Sequence, residues 1–273
     1  MQLEQKKAEF ANQGFNVAVI SYDSAAVLKA FADRVGITYP LLSDPDSKII
    51  RDFGILNETV PKGTPFYGVP YPGTYILDAR GIVLKKFFET DYKERYTAGS
   101  MLFRAAPASA RDGWSEIETR HLTLRYRAAD STIQGGMTTT LAIEIALKPK
   151  MHVYAPSVTG GYIPVRWTID PQPAFKPLDP EWPPAKTLHL PAIQETLPVF
   201  EKTFTVTRDL TFAQQNELFA AAGDSKRLAV SATFRYQACD DKECHPPVNV
   251  PLSWSFTVEP LDRTRVPEPL RRK

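Results

Sequence analysis

The chain has 273 residues, which favours two domains at about 150 residues each. Its 33 basic and 31 acidic side chains give a formal charge of +2, too balanced for a protein that binds nucleic acid by neutralising phosphates. No apolar run approaches the roughly 18 residues of a membrane span, and two cysteines are too few for a scaffold built on disulfides. The 24 prolines against 14 glycines are typical of loop-rich β proteins rather than of helix bundles.

Helices and strands alternate through the first hundred residues, as they do in an α/β domain. Residues 17–20 form a short apolar run typical of a buried strand, and apolar side chains then recur at helical spacing up to Gly36. A loop rich in proline and glycine over residues 57–72 precedes a predicted hairpin. The predicted elements are helices over residues 1–12, 24–35, 45–53 and 91–104, and strands over residues 17–20, 39–42, 74–77 and 82–88.

The second half of the chain has the texture of an all-β domain. Six runs alternate between apolar and polar residues with turn residues between them, which predicts a β-sandwich, and one helix is predicted near residues 213–222. The six runs lie at residues 121–126, 139–147, 162–169, 202–207, 227–236 and 248–258. The predicted domains are residues 1–104 and 114–260, joined by a small-residue linker over 105–113 and followed by a flexible tail over 261–273.

Three segments of the first domain resemble the thioredoxin fold in its peroxiredoxin-like AhpC/TSA redoxin branch, over about residues 1–103. They are residues 16–21 (NVAVIS) with Asp23, residues 39–44 (YPLLSD), and residues 72–78 (PGTYILD) followed by Gly81. In that family the proline that opens the last of these segments is in cis and faces the reactive thiol. The resemblance therefore implies a cis peptide bond before Pro72.

This first domain departs from the redoxin pattern, because it holds no cysteine and no histidine. Redoxins begin with a strand and a cysteine-bearing turn at the start of a helix, where the helix dipole lowers the thiol pKa. We expect both to be missing here, so that the domain is a scaffold without a nucleophile and thiol peroxidase activity is not expected. We also expect Met1 to be an internal methionine of a longer natural protein, whose active-site turn lies upstream, hidden for instance by a selenocysteine codon.

Cys239 and Cys244 are separated by four residues between two strand-like runs, so they are predicted to face each other across a tight hairpin. Closing so short a loop removes only about 2 kcal/mol of unfolded-state entropy, which favours a reversible redox pair over a structural staple. An inert structural disulfide remains an alternative. A zinc site formed by both cysteines with His245 and His152 has suitable ligand types but no matching spacing.

Residues 236–247 (YQACDDKECHPP) resemble the redox hairpin of the N-terminal domain of the thiol:disulfide interchange protein DsbD. Residues 151–156 (MHVYAP) are similar to that family's aromatic strand beside the cysteines, and residues 199–202 (VFEK) to the strand that follows its cap loop. The resemblance covers about residues 114–260 and implies an immunoglobulin-like sandwich that passes electrons from a membrane partner to other thiol proteins. The fold class is therefore a truncated thioredoxin-like domain followed by an all-β immunoglobulin-like sandwich.

The resemblance also implies roles for individual residues. Cys244 would form the mixed disulfide with a partner, and Cys239 would resolve it. The cap loop would lie within residues 193–198, where Ile193 or Leu197 would shield the sulfurs. The remaining residues predicted to line the site are His152, Tyr154, Tyr236, His245 and Pro246, with Pro247 stiffening the exit from the hairpin.

The function predicted from these features is thiol–disulfide exchange with thioredoxin-like partners through transient mixed disulfides, without a metal or an organic cofactor. A non-catalytic immunoglobulin-like interaction module with a structural disulfide is the alternative. The resemblance implies a periplasmic or otherwise extracytoplasmic location, although the chain begins without a signal peptide. The two remaining histidines, His121 and His189, are predicted to lie on the surface.

Overall fold

A computed structural model describes residues 2–88, 94–105, 113–190, 194–240 and 242–261, together with residues 264, 267 and 269. The chain divides into two compact units. One comprises Met1–Ala108 with Leu261–Lys273, and the other comprises Ser109–Pro260. Most of the predicted linker and most of the predicted tail lie outside the described residues.

The N-terminal unit has the predicted order of helices and strands except at its end, where residues 95–96 of the predicted helix 91–104 form a strand and the helix begins at Ala98. Its elements are α1 (Gln2–Asn12), β1 (Val19–Ser21), α2 (Ala25–Val35), β2 (Leu41–Ser43), α3 (Lys48–Asp52), β3 (Gly73–Leu77), β4 (Val83–Phe88), β5 (Arg95–Tyr96) and α4 (Ala98–Ala105). β1 pairs with β2 in parallel, and β3 pairs with β4 as the predicted antiparallel hairpin. These are two separate two-stranded sheets, and no described strand joins them.

Helix α3 begins later than the sequence predicts. Asp44 and Pro45 were expected to open it, but the first helical residue is Lys48. The carboxylate of Asp44 instead accepts hydrogen bonds from the backbone N–H groups of Lys48 and Ile50, each at 2.9 Å. Asp44 thus satisfies N–H donors that the short helix leaves without partners, from a position four residues upstream.

The expectation of a cis peptide bond before Pro72 is wrong, because that bond is trans. The trans form of an X–Pro bond is favoured by about 0.5–1 kcal/mol unless the surrounding structure selects the other isomer. Pro72 leads into β3, which pairs with β4 alone. The N-terminal unit therefore keeps the hairpin of the redoxin pattern without its characteristic proline isomer.

The C-terminal unit consists of strands with one helix. Its elements are β6 (Ser115–Glu118), β7 (Leu122–Ala128), β8 (Thr132–Ile133), β9 (Met137–Leu147), β10 (His152–Tyr154), β11 (Arg166–Ile169), β12 (Phe175–Pro177), β13 (Lys186–Leu190), β14 (Glu195–Glu201), β15 (Thr203–Phe212), α5 (Gln215–Ala222), β16 (Arg227–Tyr236), β17 (Ala238–Cys239) and β18 (Val248–Val258). Within this unit the sheets run in the orders β12-β15-β9-β7-β6, β11-β16-β18-β8 and β13-β14-β10-β17.

The alternation of apolar residues explains how this unit builds its core. In β16 and β18 every second residue is buried, and these side chains join those of β7, β9 and β15 in one contiguous apolar cluster. A strand places alternate side chains on opposite faces, so alternating sequence buries one face of each sheet. All six predicted runs contain strands of the sandwich, and α5 lies in the predicted helical stretch.

The segment predicted as a cap loop is mostly a strand. Ile193 lies outside the described residues, but residues 195–198 belong to β14, which pairs with β13 over residues 195–199. The other edge of β14 pairs with β10, opposite the residues that were expected to line the site. Pairing with β13 holds residues 195–198 as a strand where sequence reasoning placed a loop, and the pairing with β10 begins at Val199.

Candidate redox site

Cys239 and Cys244 form a disulfide at the end of a short hairpin, with their Cα atoms 4.0 Å apart. On either side of the pair a backbone hydrogen bond crosses the hairpin, from Asp240 N–H to Glu243 C=O at 3.0 Å and from His245 N–H to Ala238 C=O at 2.9 Å. The cysteines therefore form a non-hydrogen-bonded pair of the antiparallel ladder. In such a pair the two opposed side chains lie closer together than in a hydrogen-bonded pair. This register accounts for the bridge.

The register of this hairpin differs from that of the long ribbon that leads into it. β16 pairs with β18 in one register up to Tyr236 opposite Val248. An unbroken continuation would set Cys239 opposite His245, but Cys239 instead pairs with Cys244. The return strand thus holds one extra residue beside Pro246 and Pro247, as in a β-bulge. Prolines have no N–H to donate to a ladder, so an interruption is tolerated there.

The turn of the hairpin is closed by Asp240. Its carboxylate accepts the backbone N–H groups of Lys242 at 2.7 Å and Glu243 at 2.9 Å. These backbone hydrogen bonds, with lesser contributions from the charges of His245 and Lys242, hold the pKa of Asp240 below its usual value. The side chain therefore stays ionised and keeps the short loop closed near neutral pH.

The two sulfur-bearing residues differ in exposure. Cys239 is 1% exposed, whereas Cys244 is exposed. An attacking thiolate must approach the sulfur that it bonds to, and Cys244 is the more accessible residue of the two. The arrangement can therefore carry out exchange through one sulfur while the other stays covered.

A small apolar cluster covers Cys239. It is separate from the main core and is built from Tyr154, Leu197, Val199 and Cys239, with Val158, Tyr162 and Leu188 partly buried against it. The hydroxyl of Tyr154 lies 3.8 Å from Sγ of Cys244, within range of a weak hydrogen bond to sulfur. Burial, with a smaller effect of the charge on Glu195, raises the pKa of Tyr154. Of the two residues expected to shield the sulfurs, Leu197 lies in this cluster, and Ile193 is not among the described residues.

A second tyrosine connects this cluster to the neighbouring hairpin, and sequence reasoning missed it. The ring of Tyr162 lies 4.7 Å from that of Tyr154, and its hydroxyl donates a short hydrogen bond to the carboxylate of Glu195 in β14. That hydrogen bond, with burial and the carboxylate charge, raises the pKa of Tyr162 to about 12. The only signal in the sequence is an aromatic residue at the start of the predicted strand 162–169.

Three other predicted site residues, His152, Tyr236 and Pro246, lie in different surroundings. His152 is buried, lies opposite Cys239 in the pairing of β10 with β17, and packs edge-to-face on Tyr154 at 5.5 Å. Tyr236 belongs instead to the main core, where its hydroxyl lies 2.8 Å from that of Thr119 and burial raises its pKa. Pro246 is exposed at the exit of the hairpin.

One of the two histidines predicted on the surface is buried. His189 is exposed in β13, as expected, but His121 is only 5% exposed. Its ring stacks on that of His245, with centroids 4.5 Å apart and planes at 13°. A polar residue next to a strand gives no sign of such a partner, because the two histidines are far apart in sequence.

No group of three histidine, cysteine or acidic side chains in the described part of the chain is arranged to hold a metal ion. Both cysteines are committed to the disulfide. Thiolates are the form of cysteine that binds zinc, so the oxidised pair offers no such ligand. The site as described is a disulfide beside aromatic side chains.

A β-sandwich that presents a disulfide through one exposed and one covered cysteine has the chemistry of thiol–disulfide interchange. The comparisons with known families agree. Residues 121–251 match the family model described as "Thiol:disulfide interchange protein DsbD, N-terminal", and residues 1–86 match that of the AhpC/TSA family. Both resemblances read from the sequence are thereby confirmed, as is the fold class of a thioredoxin-like part followed by a β-rich domain.

Individual relatives match only parts of the chain. Peroxiredoxin Q of Arabidopsis thaliana chloroplasts is 37% identical over 75 residues, which are 28% of this chain and 32% of that protein. Alkyl hydroperoxide reductase C of Staphylococcus aureus is 33% identical over 85 residues, which are 30% of this chain and 41% of that protein. The chain thus spans less than half the length of the curated relatives that it matches.

Among solved structures, the N-terminal periplasmic domain of ScsB from Proteus mirabilis aligns with 53% of this chain and 50% of its own, with 15% identity and a TM-score of 0.36. None of the helices in the described ranges is long and apolar enough to cross a membrane.

Proposed function

We propose that the C-terminal unit is an electron-relay domain in which Cys239 and Cys244 cycle between disulfide and dithiol. Its partners are thioredoxin-like proteins, which it meets through transient mixed disulfides at Cys244. The observation that carries this proposal is the difference in exposure between the two cysteines. A structural disulfide has no need of one exposed sulfur above a separate cluster of aromatic side chains.

When this chain is the oxidant, a partner thiolate attacks Sγ of Cys244 and the Cys239–Cys244 bond breaks. Cys239 leaves with the electron pair and takes up a proton. The partner's second thiolate then attacks the partner's own sulfur in the mixed disulfide, Cys244 leaves as a thiolate, and the partner carries the disulfide. When this chain is the reductant, the Cys244 thiolate attacks the partner's disulfide, and Cys239 then resolves the mixed disulfide.

The side chains around the pair have separate roles in this proposal. Tyr154 and His152 line the pair on the side of β10, with the Tyr154 hydroxyl placed to donate a hydrogen bond to a thiolate on Cys244. Leu197 and the strand that carries it act as the cap. The cap opens when a partner docks, since a covered pair that opens only to its partner avoids reaction with unspecific thiols.

Two variants test the roles of the cysteines, each the control for the other. In Cys239→Ser the mixed disulfide at Cys244 cannot be resolved from within the chain, so it should accumulate with a thioredoxin that retains only its attacking cysteine. That cysteine is supplied as its mixed disulfide with thionitrobenzoate, which leaves as a thiolate when Cys244 attacks. Cys244→Ser should give no such adduct, because its remaining thiol is covered. Non-reducing gels and mass spectrometry measure the adduct, and equal trapping by both variants would contradict the assignment.

The reduction potential separates exchange from a purely structural bridge. Structural disulfides have potentials below about −300 mV, whereas exchange proteins lie well above that value. Equilibration with glutathione buffers should place this pair above that limit. A lower value would favour an immunoglobulin-like interaction module with an inert bridge.

We further propose an extracytoplasmic location. Exposed disulfides persist in oxidising compartments and are rare in the cytosol. The match to the DsbD N-terminal family supports the same location. Trapping the thiol state in intact cells by rapid alkylation would test it, because a cytosolic protein would be recovered with both cysteines reduced.

A further inference from the structure

The buried histidine at position 121 lies beneath the exit of the cysteine hairpin, residues 238–247. Its ring stacks on His245 at 4.5 Å and meets Tyr236 edge-on at 6.3 Å. Both of its ring nitrogens are buried, and neither has a hydrogen-bond partner among the described residues. The His121 side chain therefore makes no hydrogen bond to the described residues, and its main polar neighbour is the other imidazole.

His245 ties this stack to the redox pair. It directly follows Cys244, its N–H donates to Ala238, and its C=O accepts a hydrogen bond from the Gln237 side chain at 3.0 Å. Successive side chains of an extended strand point to opposite faces, so His245 faces the body of the sandwich while Cys244 faces outward. A displacement of the Cys244 backbone would therefore carry with it the ring that rests on His121.

Reduction produces such a displacement. Two thiol sulfurs cannot stay at bonding distance, because non-bonded atoms repel at that range. Cys239 is covered by the small apolar cluster, whereas Cys244 is exposed, so Cys244 is the residue free to move. Reduction thus loosens the contact between His245 and His121.

The charges around the stack oppose protonation of His121 while the stack is closed. A protonated ring would bury two N–H donors without acceptors, which is costly. Burial, followed by the positive charges of His245, Arg120 and Lys148, lowers the pKa of His121. On the other ring, Nδ1 of His245 lies 3.8 Å from a carboxylate oxygen of Glu243, and Asp240 also faces it. Tyr236 contributes a neutral phenol.

We propose that the stack of His121 on His245 couples the redox state of the Cys239–Cys244 pair to proton concentration, so that protonation of His121 favours the dithiol. The coupling is reciprocal, since reduction opens the stack and makes His121 easier to protonate. His121 acts on the cysteines through His245 and is thus a positioning residue. The inference rests on the proposed function only in requiring that the pair be reducible.

The sign of the effect follows from the two states of the histidine. In the disulfide form its pKa lies below the ordinary value of about 6.5, and in the dithiol form it returns toward that value. Between the two values the dithiol form binds more protons, so lowering the pH below about 6.5 favours reduction. Above that range both forms hold a neutral ring, and the coupling vanishes.

Equilibration of the whole chain with reduced and oxidised glutathione between about pH 5 and pH 7 tests the coupling. Two glutathione thiols are consumed and two protein thiols appear, so no net proton is exchanged by the sulfurs below the ordinary thiol pKa of about 8.5. We expect the equilibrium constant for reduction to rise several-fold on acidification, and by no more than about tenfold per pH unit. His121→Phe, which keeps an aromatic ring on His245 but cannot titrate, should abolish that rise, whereas His189→Phe should leave it unchanged.

The outcomes distinguish this inference from the proposed function. A rise of equal size in His121→Phe, or no rise in the unmodified chain, overturns the coupling and leaves exchange intact. A pair that neither glutathione nor dithiothreitol can reduce overturns both. A measurement on the unmodified chain keeps the test independent of folding defects: the His121 ring, followed by NMR, should titrate at a higher pH in the reduced protein. Identical titration in both redox states would refute the coupling.

Discussion

The two units of this chain differ in how completely they bury their helices and strands. Among the described residues 2–105, eight apolar residues are buried and nine large apolar residues are exposed. Among the described residues 113–260, thirty-six apolar residues are buried and one large apolar residue is exposed. Strands β1 to β4 of the N-terminal unit form two separate pairs, whereas β9 of the C-terminal unit pairs with strands on both of its edges. Only the C-terminal unit carries cysteines.

This difference shows what a redox site requires of its scaffold. A reactive pair must be held in fixed geometry by neighbours whose own positions are fixed by packing. The sandwich supplies that support through its core and the long β16–β18 ribbon, and the hairpin of cysteines extends from the ribbon's end. The N-terminal unit resembles a redoxin in outline, but it has no cysteine, and its described strands do not form a continuous sheet.

Hydrogen exchange should give the largest contrast between the units. Amides of β9 and β15 lie inside a continuous sheet and should exchange only on global unfolding. Amides of β1 and β3 have one partner strand each, so they should exchange by local opening, at least about a thousandfold faster. Comparable protection in β1 and β9 of the intact monomer would mean that the N-terminal unit is as cooperative as the sandwich.

Two matched truncations of isoleucine should show the same contrast in stability. Ile143 of β9 is fully buried, and Ile143→Ala should cost about 2–5 kcal/mol of unfolding free energy. Ile20 of β1 is only half-buried, and Ile20→Ala should cost about 1 kcal/mol, since less of its side chain leaves an apolar environment. Urea unfolding of each variant measures both values, and equal losses would erase the distinction between the units.

Removal of one hydroxyl should have the smallest effect on stability and a selective effect on chemistry. Tyr162→Phe breaks the hydrogen bond to Glu195 and so loosens β14 beside the disulfide, with little effect on the free energy of unfolding. We expect several-fold faster reduction by dithiothreitol. Tyr75→Phe is the matched control, because Tyr75 packs between Phe53 and Phe88 in the N-terminal unit. Unchanged kinetics in Tyr162→Phe would argue against a cap at this strand.

The pattern of apolar residues predicted the longer elements, because a periodic pattern can be recognised only over several residues. The runs that became β9, β15, β16 and β18 were all read correctly as strands. Short strands such as β6 and β8 were missed, since two to four residues carry almost no period. The start of α3 was misplaced because Asp44 binds the helix N–H groups from further upstream than a normal cap.

The site was predictable where its residues are adjacent in sequence and unpredictable where they are distant. The opposed cysteines follow from a four-residue spacing between strands. The link between Tyr162 and Glu195 and the stack of His121 on His245 join segments 33 and 124 positions apart, which no local pattern reveals. Pro72 was read through a family pattern whose reactive thiol this unit lacks, and its peptide bond is trans.

The extra residue beside Pro246 and Pro247 has a consequence for how the chain refolds. A hairpin that closed in the register of β16 and β18 would turn the Cys244 side chain to the face opposite Cys239. Such a chain could not form its own bridge, and its exposed thiol would be left for a second chain. The disulfide therefore forms within one molecule only when the hairpin has its native register. Covalent dimers formed during refolding come from molecules in which the hairpin closed in the other register.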